Sequence, residues 1–363
     1  REVLRVINLA TKAVRTVLDG KYNYSYSDGD YWYQWSPDSK WFLCDYCGEG
    51  GKYNTDVALV DASGNGVIHN LTNSGYDDSG AKWVLGGKAM IWQSDRAGYR
   101  SHGSWGSEGD IYIMFFDLEA YEKFKMSKEE LALYEEAEKA KKSEADSLKT
   151  AASKNLKSKK GKEENSKVKK DETKVEPLKF DLDNINDRIV RLTVNSSNLG
   201  DAILDNKGEK LYYKSSFEEG FDLWVHDLKE DETKILLKDV GYGEMITDKE
   251  GKTLYMNSGG NLKKINMSDG KITPMKYEGL FEYRPYAERE YIFKHAWQQV
   301  KDKFYDPTIR NIDWAGYRDN YYKFLPYINN NYDFAEMLSE LLGELNGSHT
   351  GARYSGGGAQ LQT

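Results

Sequence analysis

The 363-residue chain is too long for one compact hydrophobic core and is expected to fold as two or more domains. It contains 27 Tyr, 12 Phe and 9 Trp, enough aromatic surface to build large cores and to exclude a chain that is disordered throughout. The net charge of −8 disfavours general nucleic-acid binding, and no run of about 18 apolar residues could cross a membrane. We therefore expect neither nucleic acid nor a lipid bilayer among its partners.

Residues 1–117 and 189–276 carry a recurring strand–turn–strand pattern. Four copies place a short polar turn between two strands rich in aromatic and aliphatic residues: 35–43, 83–91, 205–213 and 248–256. The lysines that follow the turns lie 48 residues apart in the first pair of copies and 42 apart in the second pair. Such periods, with four short strands in each, are typical of the blades of a β-propeller.

The pattern predicts four blades and part of a fifth. The blades are expected at residues 31–72, 80–194, 200–238 and 243–275. Two strands at about 2–8 and 12–18 precede them and look like the outer half of another blade. Because a propeller closes its ring to remove exposed sheet edges, this half-blade implies further blades upstream. The chain is interpreted as a fragment that begins within a partial all-β propeller of about four and a half blades.

Residues 121–180 interrupt the second predicted blade between its third and fourth strands. This insertion has 17 Lys against 13 Asp and Glu, a net charge of +4, whereas the rest of the chain has a net charge of −12. Ser127 and Glu130 form the capping-box pattern of a helix start. Beyond Lys154 no aromatic residue occurs before Phe180, which predicts a solvated helix leading into a disordered tether. A nucleic-acid or membrane patch is the alternative interpretation, and the interspersed acidic residues disfavour it.

After Tyr283 the pattern changes from strands to three helices. The first helix is indicated by apolar residues four apart, and Pro307 ends it: Ile292, Ala296, Val300 and Phe304. Asp313 is expected to cap the second helix and Asp333 the third. The predicted apolar face of the third helix consists of Phe334, Met337, Leu338, Leu341, Leu342 and Leu345. The Asn346-Gly347 pair, which tolerates a left-handed backbone, ends that helix.

The sequence therefore predicts two domains, a partial propeller over residues 1–283 and a small α-helical domain over 284–363. The aromatic residues of the helical domain are interpreted as its core rather than as a cofactor site.

His349 follows the third predicted helix and precedes a Gly-rich stretch. A loop position that is anchored on one side and accessible on the other suits a general base, and a neutral imidazole accepts a proton at physiological pH. Ser348 beside it could help to fix the orientation of the ring. Taken alone, the pair is weak evidence, because a single loop histidine is usually only solvated.

Other side chains are weaker candidates. Arg96, Arg100 and His102 lie in or beside a Gly/Ser-rich loop that could line the propeller mouth and contact peptide, or could be an ordered connection. Cys44 and Cys47 have the spacing of half a redox or zinc site. Strand alternation places these two cysteines on opposite faces, and no second pair exists. We predict no metal and no cofactor.

Four motifs occur in order between Tyr291 and Thr350: Ala296-Trp297, Phe304-Tyr305-Asp306-Pro307, Asp313-Trp314, and Leu342-Gly343-Glu344-Leu345-Asn346-Gly347-Ser348-His349-Thr350. Together they resemble the first helical core domain of the tricorn-type proteases. The preceding blades, including residues 94–98 and 100–107, resemble the propeller that precedes this domain in the same family.

The resemblance implies a serine peptidase related to the C-terminal processing proteases, which hydrolyses peptides or unfolded polypeptide by acyl transfer. In that family the histidine matching His349 is the general base, and the serine matching Ser348 is a tetrad member that links it to a glutamate. The nucleophilic serine, the oxyanion hole and the glutamate come from domains that follow a PDZ-like domain, beyond Thr363. The chain alone is therefore expected to be inactive.

The family also implies a homo-oligomer and a cytoplasmic location, or a periplasmic one if a signal peptide precedes the chain. The rival hypothesis is a non-catalytic propeller scaffold whose helical domain docks a partner. A second rival, a propeller that binds a sugar or a metal, predicts ligand-dependent thermal stabilisation of the blades. A PDZ-like segment and a Gly-rich strand–Ser–helix element downstream favour the enzyme.

Overall fold

The computed structural model describes residues 3–23, 31–48, 51, 54–100, 106–141, 176–217, 219–258 and 260–354. The chain divides into two compact units, Arg1–Lys276 and Tyr277–Thr363, which are taken separately below. His102 and most of the tether predicted after Lys154 lie outside the described residues.

The first unit consists of antiparallel sheets in which strands consecutive in the chain are neighbours. A two-stranded sheet comes first, formed by β1 (Leu4–Ile7) and β2 (Val14–Leu18). Blade 1 comprises β3 (Tyr33–Trp35), β4 (Trp41–Tyr46), β5 (Asp56–Asp61) and β6 (Ile68–Asn70). Blade 2 comprises β7 (Asp78–Val84), β8 (Ala89–Ser94), β9 (Asp110–Phe115) and β10 (Ile189–Arg191).

Two further four-stranded sheets complete this unit. Blade 3 comprises β11 (Asn198–Leu204), β12 (Lys210–Ser216), β13 (Asp222–Asp227) and β14 (Glu232–Leu237). Blade 4 comprises β15 (Met245–Thr247), β16 (Thr253–Ser258), β17 (Asn261–Asn266) and β18 (Ile272–Pro274). The predicted partial propeller of four blades and a half-blade is confirmed, as is the position of the insertion between the third and fourth strands of blade 2.

The turns of the repeat follow from their residue types. In blade 3 the N–H of Gly208 donates to the carbonyl of Asp205 (3.0 Å), and the Asp205 carboxylate accepts the N–H of Glu209 (2.7 Å). Gly208 has φ of +74°, a left-handed conformation that glycine adopts without steric cost. Gly251 and Asp248 repeat the arrangement in blade 4. The turn sequence therefore sets the register of each hairpin.

The core of the first unit lies between successive blades. On β12, Leu211 and Tyr213 pack on the side of blade 2, whereas Tyr212 packs on the side of blade 4 with Leu254 and Ile265 of that sheet. Since successive residues of a strand point to opposite faces, both faces of a blade are buried. This explains the aromatic and aliphatic richness of the strands.

The insertion begins with two helices, α1 (Leu118–Lys125) and α2 (residues 128–141). The predicted capping box of α2 is confirmed: the Ser127 N–H donates to the Glu130 carboxylate (2.9 Å), and the Glu130 N–H donates to the Ser127 hydroxyl (3.2 Å). Ala120 and Phe124 of α1 pack against the core shared by blades 2 and 3.

The second unit contains three α-helices, α3 (Pro285–Lys303), α4 (Trp314–Tyr322) and α5 (Asn331–Gly343). Asp313 caps α4 as predicted, accepting the Gly316 N–H at 2.9 Å. The prediction that Asp333 caps α5 is wrong. Asn330 has the extended backbone of a cap and its side chain accepts the Asp333 N–H (2.8 Å), so the helix begins earlier and Asp333 lies in its first turn.

The apolar face predicted for α5 is buried. Phe334, Met337, Leu338, Leu341 and Leu345 belong to the core of the second unit, and Leu342 packs against it half-buried. No helix in the described part of the chain combines the length and the apolar content of a membrane span.

Candidate active-site loop

The segment that follows α5, residues 344–352, forms a loop that we call the His349 loop. Leu345, two residues past the end of α5, is buried in the helical core, and Asn346 after it has a left-handed backbone with φ of +46°. Ser348 and His349 occupy a turn whose base is closed by the Thr350 hydroxyl, which donates to the carbonyl of Gly347 at 3.1 Å. The left-handed backbone predicted for Asn346 is present, but the prediction that the Asn346-Gly347 pair ends the helix is wrong, because α5 ends at Gly343 with Glu344 as its C-cap.

The His349 loop is fixed at both ends by hydrogen bonds to other parts of the helical unit. At its start, the Arg310 guanidinium donates to the carbonyl of Asn346 (Nη1 to O, 2.8 Å). At its end, the hydroxyl of Ser339 on α5 accepts the N–H of Ala352 and lies 2.9 Å from the Ala352 carbonyl, to which it also donates. The turn that carries His349 therefore spans two anchored points.

Arg310 is itself held in place by the motif that precedes it. The hydroxyl of Tyr305 accepts from Nε and Nη2 of Arg310 at 3.1 and 2.8 Å. The Asp306 carboxylate accepts the N–H groups of Thr308 and Arg310, both at 2.9 Å. The side chain and backbone of Thr308, together with the Arg310 N–H, hold the pKa of Asp306 below its usual value. Tyr305 and Asp306 thus shape the segment that supports the His349 loop.

Sequence reasoning did not identify Arg310 as part of the site. Ile309, Arg310 and Asn311 have φ values of +47°, +53° and +57°, which non-glycine residues seldom adopt. This backbone directs the guanidinium to a carbonyl 36 positions further along the chain. The neighbouring Tyr305-Asp306-Pro307 motif marks this segment in the sequence, but it does not indicate the contact between Arg310 and Asn346.

The two tryptophans of the shared motifs join α3 to α4. The indole N–H of Trp297 donates to the carbonyl of Trp314 (2.9 Å), and the indole N–H of Trp314 donates to the carbonyl of Trp297 (3.2 Å). This reciprocal pair fixes the start of α4 against α3 and explains why both positions carry tryptophan.

His349 and Ser348 are both exposed, and His349 has φ of +60°. Within the described residues neither side chain has a hydrogen-bond or ion-pair partner, so Ser348 makes no hydrogen bond to the ring. An exposed imidazole on an anchored turn can accept a proton from a group that approaches from outside this unit.

Substitution of Arg310 by Met is expected to loosen the His349 loop without unfolding the helical unit, because it removes one loop anchor and buries no charge. The ¹⁵N order parameters of Ser348 and His349 should fall from about 0.85 to below about 0.6. Arg284→Met is the control, since Arg284 is exposed and pairs only locally with Glu282. Order parameters that remain unchanged in Arg310→Met would show that this anchor is dispensable.

Arg96 and Arg100 are engaged in the first unit. The Arg96 guanidinium forms an ion pair with the fully buried carboxylate of Asp78 (2.9 Å) and lies over the ring of Trp92. Arg100 forms an ion pair with Asp95 at 2.9 Å. These contacts favour the ordered connection over free peptide-binding side chains.

The two cysteines are free thiols. Cys44 is buried in β4, and burial raises the pKa of its thiol to about 12, which disfavours the thiolate that metal binding or redox chemistry requires. Among the residues that the structure describes, no group of three or more His, Cys, Asp or Glu side chains could hold a metal ion.

Asp45 lies beside a cavity of about 280 Å³ lined by residues of blades 1, 2 and 3 and by residues 242–244, which precede β15. Its carboxylate accepts the N–H of Gly80 at 3.0 Å. Burial raises the pKa of Asp45 to about 7, and the nearby charge of Asp77 acts in the same direction. The folded state therefore favours the protonated acid.

Stability is expected to fall as the pH rises from about 4 to about 7, since the unfolded carboxyl ionises near 3.9 while the folded one holds its proton. Asp45→Asn removes this ionisation and keeps an oxygen acceptor for Gly80. The variant should match the parent near pH 4 and be more stable by about 1–2 kcal/mol at pH 8. Denaturant unfolding at several pH values checks this, and parallel pH profiles for the two proteins would refute it.

Comparison with known protein families finds that residues 285–343 match the tricorn protease C1 domain. A curated tricorn protease homolog from Streptomyces coelicolor is 35% identical over 86 residues, which are 23% of this chain and 7% of that protein. The domain match ends before Ser348 and His349. The chain thus matches a small part of this relative's length.

Comparison with solved structures finds proteins of similar fold. The crystal structure of the tricorn protease is similar over 96% of this chain and 31% of its own, with a TM-score of 0.58 and 12% identity, which shows the fold alone. The β-propeller domain of the trilobed protease from Pyrococcus furiosus is similar over 76% of this chain and 62% of its own, with a TM-score of 0.37 and 16% identity. The resemblance inferred from the sequence motifs is confirmed.

Proposed function

We propose, on the premise that this chain is a relative of the tricorn proteases, that it is part of a serine-type peptidase in which His349 is the general base. Its substrates are peptides or unfolded polypeptide segments. The nucleophilic serine, the oxyanion-hole donors and the glutamate are supplied by other parts of a longer protein.

The observation that carries the proposal is the placement of His349 on an exposed turn whose two ends are anchored. A general base has to be reachable by the hydroxyl that it deprotonates, and it has to be held in a narrow range of positions. The exposed ring meets the first requirement. The bonds from Arg310 to Asn346 and between Ser339 and Ala352 meet the second.

In the proposed reaction, His349 takes the proton of the serine hydroxyl as the oxygen attacks the scissile carbonyl. Backbone N–H groups hold the oxyanion of the tetrahedral intermediate, and the imidazolium then gives its proton to the leaving amine. In the second half of the reaction His349 takes a proton from a water molecule, which attacks the acyl-enzyme and releases the product acid and the free serine. Ser348 is exposed, and in the proposed site it links His349 to a glutamate from another domain.

The test compares the 363-residue chain with the longer protein on blocked fluorogenic peptides. We expect turnover by the longer protein and none by the chain alone, because the nucleophile is absent from it. If the chain alone hydrolysed amides and the His349→Ala variant did not, the proposal that the nucleophile comes from another part of a longer protein would be refuted. An inert longer protein would favour the scaffold hypothesis.

By the same relationship we propose a homo-oligomer in the cytoplasm. Analytical ultracentrifugation of the longer protein and cell fractionation test these two statements.

A further inference from the structure

A groove of about 820 Å³ lies along blade 3 in the first unit. Its apolar lining comes from three separate segments: Val194 before β11, Phe217 after β12, and Ile235 on β14. These side chains are 51%, 45% and 40% exposed. An apolar surface of this kind in a concave setting is typical of a binding site.

Two polar groups that line the groove have no hydrogen-bond partner among the residues that the structure describes. Tyr213 and Trp224 lie directly opposite each other on β12 and β13, so their side chains share one face of the sheet. Tyr213 is 2% exposed, and its hydroxyl makes no hydrogen bond to any described residue. The indole N–H of Trp224 is also buried without a partner in the described part of the chain.

A donor like the Trp224 N–H is uncommon, because a buried group that has lost water and gained no acceptor is unfavourable. The neighbouring tyrosine shows the usual solution. Tyr212 is equally buried, and its hydroxyl donates to the carbonyl of Met267 at 2.6 Å. Tyr213 and Trp224, which both line the groove, therefore bring together two donors that have no partner among the described residues.

The rim of the groove is acidic. Glu219, Asp222 and Asp239 line it, and Lys238 is the one basic side chain among its lining residues. Within the described residues none of these four side chains is in an ion pair. The resulting excess of negative charge attracts a basic ligand and repels an acidic one.

We propose that this groove binds an extended peptide segment in which an apolar or aromatic side chain is followed by basic residues. Two backbone carbonyls of the peptide accept from Tyr213 and Trp224, as backbone carbonyls do in aromatic-lined peptide grooves. The apolar side chain packs against Phe217, whose ring meets that of Trp224 edge-on at 5.2 Å. The basic side chains face the acidic rim. This inference does not depend on peptidase activity.

The experiment uses the 363-residue chain and a fluorescein-labelled blocked peptide, Gly-Phe-Pro-Leu-Arg-Arg, followed by fluorescence anisotropy. The matched probe replaces both arginines with glutamate. We expect saturable binding of the basic peptide, weakening with added salt, and no binding of the acidic one. Tyr213→Phe and Trp224→Phe each delete one donor and keep the ring, and each should weaken binding at least tenfold.

Tyr212→Phe is the control for removal of a phenol hydroxyl. It should lower the Tm, because the Met267 carbonyl loses its donor, and leave peptide affinity unchanged. Tyr213→Phe should do the reverse, leaving the Tm unchanged and weakening binding. This crossed pattern separates a binding role from a structural one.

Three results would overturn the proposal. The first is no anisotropy change at any peptide concentration up to 1 mM. The second is equal affinity in the parent, Tyr213→Phe and Trp224→Phe. The third is that the peptide binds the 363-residue chain but not the longer protein, which would show that another part of the longer protein covers the groove.

Discussion

Substitution of His349 by Ala in the longer protein is expected to lower kcat for peptide hydrolysis by about 10⁴-fold or more, with little change in KM. The side chain is removed from an exposed turn, so neither the helical core nor the fold of the loop depends on it. The loss is large because the serine hydroxyl is a weak nucleophile without a base to take its proton. Steady-state kinetics on a blocked peptide give both constants.

His295→Ala is the matched control for this substitution. His295 is another exposed histidine of the helical unit and stacks on Tyr291 of the same helix. Its removal should leave kcat within about twofold of the parent, since it touches nothing in the His349 loop. A similar loss of activity in both variants would point to damage to the helical unit rather than to loss of a base.

The second large effect is expected in the core of the helical unit. Leu341 on α5 is 0% exposed and packs among the residues that join α3, α4 and α5. Leu341→Ala removes buried methyl groups and leaves a cavity, a change that costs about 3–5 kcal/mol. The unit is small, so this loss should unfold much of it at 37 °C and remove any activity that depends on His349.

Leu342→Ala makes the same chemical change one position along, at a half-buried side chain. It should cost about 1 kcal/mol, because solvent and flexible neighbours fill the space that the side chain leaves. Unfolding of the two variants in urea, followed by helical circular dichroism, tests the difference. Equal losses of stability would contradict the burial of Leu341 in the core and the half-buried position of Leu342.

Local sequence patterns were sufficient to predict most elements of the fold, although helix α1 was not predicted. A turn such as Asp205 to Gly208 needs only an aspartate acceptor and a glycine that adopts positive φ, and both are visible in four consecutive residues. The capping box of Ser127 and Glu130 is equally local. The wrong prediction of Asp333 as the cap of α5 also comes from reading local residue types alone. Asn330 and Asp333 are both good caps, and tertiary packing decides which one the helix uses.

The surroundings of the candidate site could not be predicted in this way. The contact between Arg310 and Asn346 joins residues 36 positions apart and depends on three left-handed residues that are not glycine. The groove in blade 3 was also not predicted. Tyr212 and Tyr213 are identical in type and adjacent in sequence, and only the folded chain shows that the Tyr212 hydroxyl has a partner whereas the Tyr213 hydroxyl has none among the described residues.

The support of His349 is therefore distributed over the helical unit. Tyr305 and Asp306 fix Arg310, Arg310 holds the start of the loop, and Ser339 on α5 holds its end. A reactive side chain on a loop needs such second contacts to keep its position. Tyr305 and Asp306 belong to one of the motifs that resemble the tricorn proteases, whereas Arg310 and Ser339 lie outside those motifs.

The most direct measurement is covalent labelling of the longer protein with a fluorophosphonate, a reagent that reacts with serine hydroxyls activated by a general base. The account predicts fast labelling of one serine in the parent and in His295→Ala, and labelling at least about 10³-fold slower in His349→Ala, in the range by which loss of one member of such a catalytic unit slows the reaction. Labelling of His349→Ala at the parental rate would contradict the assignment of His349 as the base.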